Sequence, residues 1–169
     1  MQKYNYESGR QDYQTPVEIL DIIFQELNLI GQYQERFDCD VCCNCANIPA
    51  KHHFIDGITD GLQADWYNLN YCNPPFRDCG KWVAKAYKEF IKGKTTVMLI
   101  PARTETKYWQ DYILTDGYVD TDYINVKFLK KGYQFINPID KSQMGVFKNA
   151  LAIVIFDGVG LHNEVKKVA

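Results

Sequence analysis

The amino-acid sequence predicts an α/β protein, with a mostly parallel sheet and helices on both of its faces. Segments with helical spacing of apolar residues alternate along the chain with short apolar segments of strand length. One of these, Thr95–Ile100, is continuously apolar or β-branched, as in a strand covered on both faces. A length of 169 residues is typical of one domain, so we expect residues 1–169 to form a single domain.

The first helix is expected to begin near Thr15. The Thr15 hydroxyl can cap the first turn, Glu18 can reach back to it, and Pro16 suits the first helical position. The apolar residues that follow at helical spacing are Ile19, Leu20, Ile23, Phe24 and Leu27. Gly31 predicts the end of this helix.

The middle of the chain predicts a strand, a region of turns and a second helix. Phe37–Cys43 is typical of a short strand, and Asn44–Leu69 is rich in turn-forming residues. Lys81–Ile91 has an apolar side and a stripe of lysines, which is typical of an amphipathic helix. A solvent-exposed helix face explains the lysine stripe, and the same lysines could also bind the phosphates of a nucleic-acid backbone.

The second half of the chain predicts four strands and one more helix. The strands share an apolar or β-branched character and cover Thr95–Ile100, Val126–Leu129, Tyr133–Ile136 and Ala150–Phe156. The helix covers Thr106–Leu114. A turn at Lys130-Lys131-Gly132 separates the second strand from the third.

Composition excludes several classes of protein. With 46% hydrophobic and 24% charged residues, the chain is not intrinsically disordered. No apolar segment approaches the length of a membrane span, and the first ten residues are polar, so we expect a soluble protein of the cytoplasm. Reduced thiols are the expected state of the six cysteines.

Charge is distributed unevenly along the chain. Residues 1–76 carry four basic and eleven acidic side chains, whereas residues 77–148 carry thirteen basic and eight acidic ones. Phosphates are attracted by the basic region and repelled by the acidic one. Ordinary surface charge explains the same numbers, so both interpretations stay open at this stage.

The most informative motif is Asn73-Pro74-Pro75-Phe76. Two prolines form a stiff corner where a strand leaves the sheet. The side-chain oxygen of Asn73 and the carbonyl of Pro74 can both accept hydrogen bonds from an amino group on a planar base. Phe76 can stack on a base that has left its duplex. A chance Asn before a rigid turn is the alternative explanation.

Several motifs together resemble the S-adenosylmethionine-dependent amino-methyltransferases, most closely the small phage-encoded Dam-like DNA N6-adenine methyltransferases. The motifs run in order over residues 13–156 and include Thr15-Pro16, Asp40 with Asn47, Asp60-Gly61-Leu62, Cys72–Phe76, Gly80–Val83, Met98–Thr106, Phe128–Gly132 and Ala150–Phe156. The resemblance implies a single-domain Rossmann-like methyltransferase fold without a separate target-recognition domain.

The same resemblance assigns site residues. The positions that the resemblance implies for cofactor binding are Thr15, Pro16, Asp40, Asn47, Asp60 and Asn73. Of these, Asp60 is expected to lie near the adenosine part of S-adenosylmethionine. Its catalytic positions are Asn73, Pro74, Pro75 and Phe76. A glycine-rich turn usually follows the first strand, and Cys42-Cys43-Asn44-Cys45-Ala46 stands in its place.

We therefore expect methyl transfer from S-adenosylmethionine to N6 of a flipped adenine in double-stranded DNA, with GATC as the site that the resemblance suggests. The candidate DNA contacts are Arg103, Lys127, Lys130 and Lys131. Sequence readout is expected from loops within Arg103–Lys107 and Asp116–Lys148. No metal, membrane or obligatory protein partner is expected, and a phage-encoded enzyme would act in the cytoplasm of its bacterial host.

Two alternatives stay open. Cys39, Cys42 and Cys45 with His52-His53 superficially have the spacing of zinc ligands, so the chain could be a non-enzymatic nucleic-acid-binding module. The same fold could also methylate an RNA base or a protein glutamine amide, since each target is a planar conjugated amine. A C5-cytosine enzyme is disfavoured, because no proline is followed by the cysteine that attack at a ring carbon requires.

Overall fold

The computed structural model describes residues 13–31, 36–44, 46–119, 122–137 and 139–168. The α-helices and strands of this part of the chain, in order, are α1 (Val17–Leu29), β1 (Phe37–Cys43), β2 (Ala50–Ile55), β3 (Leu69–Cys72), α2 (Cys79–Ile91), β4 (Thr95–Pro101), α3 (Lys107–Tyr112), β5 (Leu114–Thr115), β6 (Tyr118–Val119), β7 (Ile124–Phe128), β8 (Leu151–Asp157) and α4 (Gly158–Val168), with a short 3-10 helix at Phe76–Asp78. The α/β class predicted from the sequence is confirmed.

Six strands form one mixed sheet in the order β2-β1-β3-β4-β8-β7. The four strands from β2 to β4 are parallel, whereas β8 runs antiparallel to both β4 and β7. Strands β5 and β6 form a separate small hairpin. The sheet is therefore mostly parallel with one reversed strand, an arrangement consistent with a methyltransferase-like fold.

Two hydrophobic clusters cover the two faces of the sheet. On one face, α1 buries Ile19, Ile23 and Leu27 against strand residues such as Val97 and Leu99. On the other face, α2 and α3 bury Trp82, Val83, Ala86 and Trp109 against Met98 and Ile100. Alternate residues of β4 thus serve opposite faces, which explains why the whole strand is apolar or β-branched.

The direction of chain progression reverses at β1. The connection after β1 leads to β2 on one side, and the connection after β2 returns to β3 on the other side. Loops that leave the two neighbouring strands therefore diverge, and a crevice opens at the carboxyl edge of the sheet between β1 and β3. This crevice is the natural place for a ligand.

Two sequence-based expectations about elements were wrong, and one helix was not predicted. The turn-rich region contains the strand β2, whose sequence Ala-Lys-His-His-Phe-Ile lacks an apolar pattern because β2 is an edge strand. The expected strand Tyr133–Ile136 is irregular, with only isolated bridges from Ile136 to Gln14 and Gln143. The helix α4 was not predicted.

The start of α1 also differs from expectation. Pro16 occupies the N-cap position, and no side chain caps the helix. The Thr15 hydroxyl instead lies 2.6 Å from the hydroxyl of Tyr71 on β3. A long-range hydrogen bond has thus replaced the local one that the sequence favoured.

No helix in the described ranges has the length and apolar character needed to cross a membrane.

The loop after β2 is held tightly against the end of β1 at Gly61. The Trp66 indole donates a hydrogen bond of 2.7 Å to the Gly61 carbonyl. On the other side, a Cβ at Gly61 would overlap the backbone oxygen of Val41 and lie 2.9 Å from the Trp82 ring. Only glycine fits this approach without a shift of the backbone.

We expect Gly61→Ala to lower the free energy of unfolding by about 2 kcal/mol or more, because the added methyl group overlaps backbone that cannot move freely. Urea denaturation measures this. Gly145→Ala is the matched control, since a Cβ there meets nothing within 4 Å, and it should change stability by less than about 0.5 kcal/mol. Equal stability of the two variants would contradict the tight approach.

Candidate active site

A cavity of about 840 Å³ occupies the crevice at the carboxyl edge. Its walls come from the ends of β1, β2 and β3, from the loop that follows β2, and from the segment before α1. Parts of the chain between Tyr13 and Trp82 that are separated in sequence therefore meet at one place.

The cavity collects most of the site residues expected from the sequence. Those that line it are Thr15, Asp40, Asn47, Asp60, Asn73 and Pro75. Pro16 and Pro74 are buried beside it without lining it. Phe76 is half-buried and also stands outside the lining.

Asn73 follows the last residue of β3 directly, and its amide is held from one side. The Nδ2 group donates to the backbone oxygen of Tyr13 at 3.2 Å and to the hydroxyl of Thr15 at 3.3 Å. Within the described residues, Oδ1 has no hydrogen-bond partner. Because the nitrogen end of the amide is occupied, the oxygen end is the one available to a ligand.

Phe76 belongs to an aromatic cluster beside the proline corner. Its ring meets Phe135 and Phe147 edge to face, with centroid distances of 6.4 and 5.2 Å. Tyr13 packs against the same Phe135 ring. The segment that contains Phe135 and Phe147 therefore covers the proline corner, a contact that sequence reasoning missed.

The cavity wall is acidic. Four carboxylates line it, from Asp40, Asp56, Asp60 and Asp78, against one guanidinium from Arg77. Sequence reasoning missed Asp56, which follows the last residue of β2 directly. An acidic residue after the second strand of such a sheet commonly accepts hydrogen bonds from a ribose, but this signal was hidden because β2 itself was not predicted.

Asp40 is the most perturbed of these carboxyl groups. It is 2% exposed, and its Oδ1 accepts a hydrogen bond of 3.4 Å from the Cys42 amide. Burial raises the pKa of Asp40 to about 7, against smaller opposing effects of the Cys42 amide and the nearby His53. A cation in the cavity would favour the ionised form of this group.

The four candidate DNA contacts lie in different settings. Arg103 is exposed just after β4 and pairs with Glu105 at 3.2 Å, and Lys127 on β7 pairs with Glu26 at 2.5 Å. Lys130 and Lys131 are exposed at the start of the connection from β7 to β8. No ion pair joins either of these two lysines to another described residue.

That connection lies at the same edge of the sheet as the cavity. Pairing of Phe128 with Ala152 and of Pro101 with Leu151 brings the end of β7, the end of β4 and the start of β8 together at the carboxyl edge. Arg103, Lys130 and Lys131 therefore lie on the side of the sheet from which a large substrate would reach the cavity.

The proposed zinc ligands receive no support from the described residues. Cys39 is fully buried in the core on one face of the sheet, and burial raises the pKa of its thiol to about 12. No three potential ligands in the described ranges are close enough together to hold a metal ion. Cys45 lies outside those ranges.

Comparison with known families identifies the family of the chain. The family model of DNA N-6-adenine-methyltransferase (Dam) matches residues 4–158. The chain belongs to the Dam family. No curated protein matches it at a significant level.

Membership of the Dam family carries two statements about chemistry. Dam enzymes are DNA adenine-N6 methyltransferases, and S-adenosylmethionine is their methyl donor. The cavity of this Dam-family chain fits such a cofactor, because the sulfonium and ammonium groups are cations and four carboxyl groups line the wall against one guanidinium. Asp40, Asp56 and Asp60 are the acidic groups that would hold it.

We expect Asp40→Asn to change how stability depends on pH. A carboxyl group with a pKa of about 7 in the folded state and about 3.8 when unfolded binds its proton more tightly when folded, so its contribution to stability falls as the pH rises from about 4 to about 7. The Asp40→Asn variant has no ionisable group at this position, so its stability does not fall in this way. Relative to wild type it should gain stability on the order of 2–4 kcal/mol between pH 4.5 and pH 8.

Urea denaturation of both proteins at several pH values provides the measurement. Asp38→Asn is a useful control on the same strand. Parallel pH profiles of wild type and Asp40→Asn would show that Asp40 ionises in its ordinary range.

Proposed function

We propose that this chain transfers a methyl group from S-adenosylmethionine to N6 of an adenine that is flipped out of double-stranded DNA into the cavity. The observation that carries the proposal is the amide of Asn73, whose nitrogen is bound to Tyr13 and Thr15 while its oxygen faces no described partner. An amide held in this way is a hydrogen-bond acceptor for an amino group.

The proline corner would supply the second acceptor. With Oδ1 of Asn73 and the carbonyl of Pro74 each accepting one N6 hydrogen, the amine is held so that its lone pair leaves conjugation with the ring. Asn73 and Pro74 then act by orientation, which is the largest contribution available to a reaction without a nucleophilic intermediate. When bound, S-adenosylmethionine supplies a methyl group on an already activated leaving group, so no further activation by the protein is required.

Base flipping is supported by the position of the site. Asn73 is half-buried in a recessed cavity, and an adenine stacked in a duplex could not reach it. The Phe76 ring stands outside the cavity lining and packs edge to face with Phe135 and Phe147, so stacking of the extruded base on Phe76 stays a prediction from the sequence.

The surface around the cavity supports DNA as the macromolecule. An acidic cavity repels phosphates, so the DNA backbone must be held outside it, and Arg103, Lys130 and Lys131 are exposed at the same edge of the sheet. GATC is the site suggested by the resemblance to Dam-like enzymes. The segment between β7 and β8 is the longest connection at this edge and is the proposed source of sequence readout.

We expect Asn73→Ala to abolish methyl transfer, with a loss of at least about 100-fold, because the target amine loses its oriented acceptor. Binding of S-adenosylmethionine should weaken by less than about three-fold. Tritium incorporation into DNA measures the first property and isothermal titration calorimetry the second.

The acceptor is identified in the same assay with unmethylated DNA, fully methylated DNA, RNA and protein. Incorporation into unmethylated DNA alone supports the proposal. Incorporation into RNA or protein would show that DNA is not the substrate, although the proposed site would stand. Full turnover by Asn73→Ala would show that Asn73 has no part in the mechanism.

The double variant Lys130→Ala/Lys131→Ala should weaken binding to every DNA sequence to a similar extent. If both lysines neutralise phosphates, the slope of log K against log salt concentration should become shallower by about 2. The control is Lys166→Ala/Lys167→Ala, which removes the same charge from α4, a helix that begins at the opposite edge of the sheet. Equal effects of the two double variants would show that only total charge matters.

A further inference from the structure

The hydroxyl of Thr15 lies between two buried polar groups of the site. The hydroxyl of Tyr71 is 2.6 Å away, and Nδ2 of Asn73 is 3.3 Å away. Thr15 is 5% exposed and Tyr71 is 1% exposed, so water does not freely reach this contact. Tyr71 is the β3 residue that pairs with Asp40 across the crevice. The sequence did not predict this contact between Thr15 and Tyr71.

The hydrogens in this contact can be assigned. Nδ2 of Asn73 can only donate, so Thr15 must accept there. If Thr15 also donated to Tyr71, the phenol hydrogen would be left without a described partner in a fully buried position, which costs about 1–3 kcal/mol. A phenol is also a stronger donor than an aliphatic alcohol. Tyr71 therefore donates to Thr15.

The phenol keeps its hydrogen under all working conditions. Burial raises the pKa of Tyr71 far above its ordinary value, and the negative charge of Asp40 acts in the same direction. With both lone pairs of the Thr15 oxygen engaged, its own hydrogen is directed away from Tyr71 and Asn73. Since Thr15 lines the cavity, this hydrogen is available to an acceptor on a bound ligand.

We propose that Tyr71 is a positioning residue for methyl transfer: by donating to Thr15, it keeps Thr15 an acceptor for Nδ2 of Asn73 and so holds Oδ1 of Asn73 toward the target amine. Without the phenol, the Thr15 hydroxyl is free to rotate and donate to Oδ1 of a flipped Asn73 amide, and the backbone oxygen of Tyr13, which accepts from Nδ2 at 3.2 Å, is then the one described group that still favours the productive orientation. The flipped amide would present an NH₂ group to the N6 amine, which is unproductive. This inference rests on the function proposed above.

The test is Tyr71→Phe, which removes the hydroxyl and keeps the ring. We expect the single-turnover rate constant for methyl transfer to fall about ten-fold, the equivalent of one hydrogen bond, because a smaller fraction of Asn73 is correctly oriented. The dissociation constant of S-adenosylmethionine should change less than about three-fold, since the Thr15 hydroxyl remains. A purely structural effect would not separate these two quantities.

Three further variants complete the design. Thr15→Val removes the acceptor and the donor together, so it should slow transfer and also weaken cofactor binding, whereas Thr15→Ser should restore both to within about two-fold of wild type. Tyr87→Phe is the matched control, because Tyr87 packs on the opposite face of the sheet against Phe90 and Phe156. It should leave both quantities unchanged.

The outcomes separate this inference from the function on which it rests. A wild-type rate for Tyr71→Phe, with Asn73→Ala inactive, would overturn the role of Tyr71 and leave the proposed function intact. An active Asn73→Ala would overturn the proposed site itself. Equal losses in Tyr71→Phe and Tyr87→Phe, or no recovery in Thr15→Ser, would show a general effect of side-chain packing and would also overturn the role of Tyr71.

Discussion

The adjacency of β1 and β3 is the constraint on which the site depends. These two parallel strands lie side by side, but the loops that leave them turn in opposite directions. The carboxyl edge between β1 and β3 is therefore not covered by these loops. One strand delivers Asp40 and the other delivers Asn73, two residues after its neighbour Tyr71. A site with an acid on one wall and an amide acceptor on the other follows directly from this topology.

Charge then divides the carboxyl edge into two regions. Carboxyl groups line part of the cavity, whereas Arg103, Lys130 and Lys131 are exposed elsewhere along the same edge of the sheet. A cationic cofactor and a polyanionic substrate are therefore drawn to different places on the same edge. The unequal charge of the two halves of the sequence has the same sense, because three of the four cavity carboxyl groups precede Asn73, whereas Arg103, Lys130 and Lys131 follow it.

Sequence patterns predicted the elements whose stability is encoded locally. Thr95–Ile100 and Ala150–Phe156 correspond to β4 and β8, since a strand buried on both faces must be apolar throughout. The edge strand β2 needs no such pattern and was missed, and with it Asp56. The segment Tyr133–Ile136 has the composition of a strand but is held by Gln14 and by aromatic contacts, which no local pattern encodes.

Thr15 shows why the arrangement of the site could not be deduced in the same way. Its local context favours a helix cap, and a hydroxyl that caps a helix is not available to a partner elsewhere. In the folded chain it bonds to Tyr71, 56 residues away, and accepts from Asn73. Placing Pro16 at the N-cap leaves α1 without a side-chain cap, a loss of about 1 kcal/mol in helix stability. That loss is offset by satisfying a buried phenol and a buried amide with one oxygen atom, so the hydroxyl serves the site in preference to the helix.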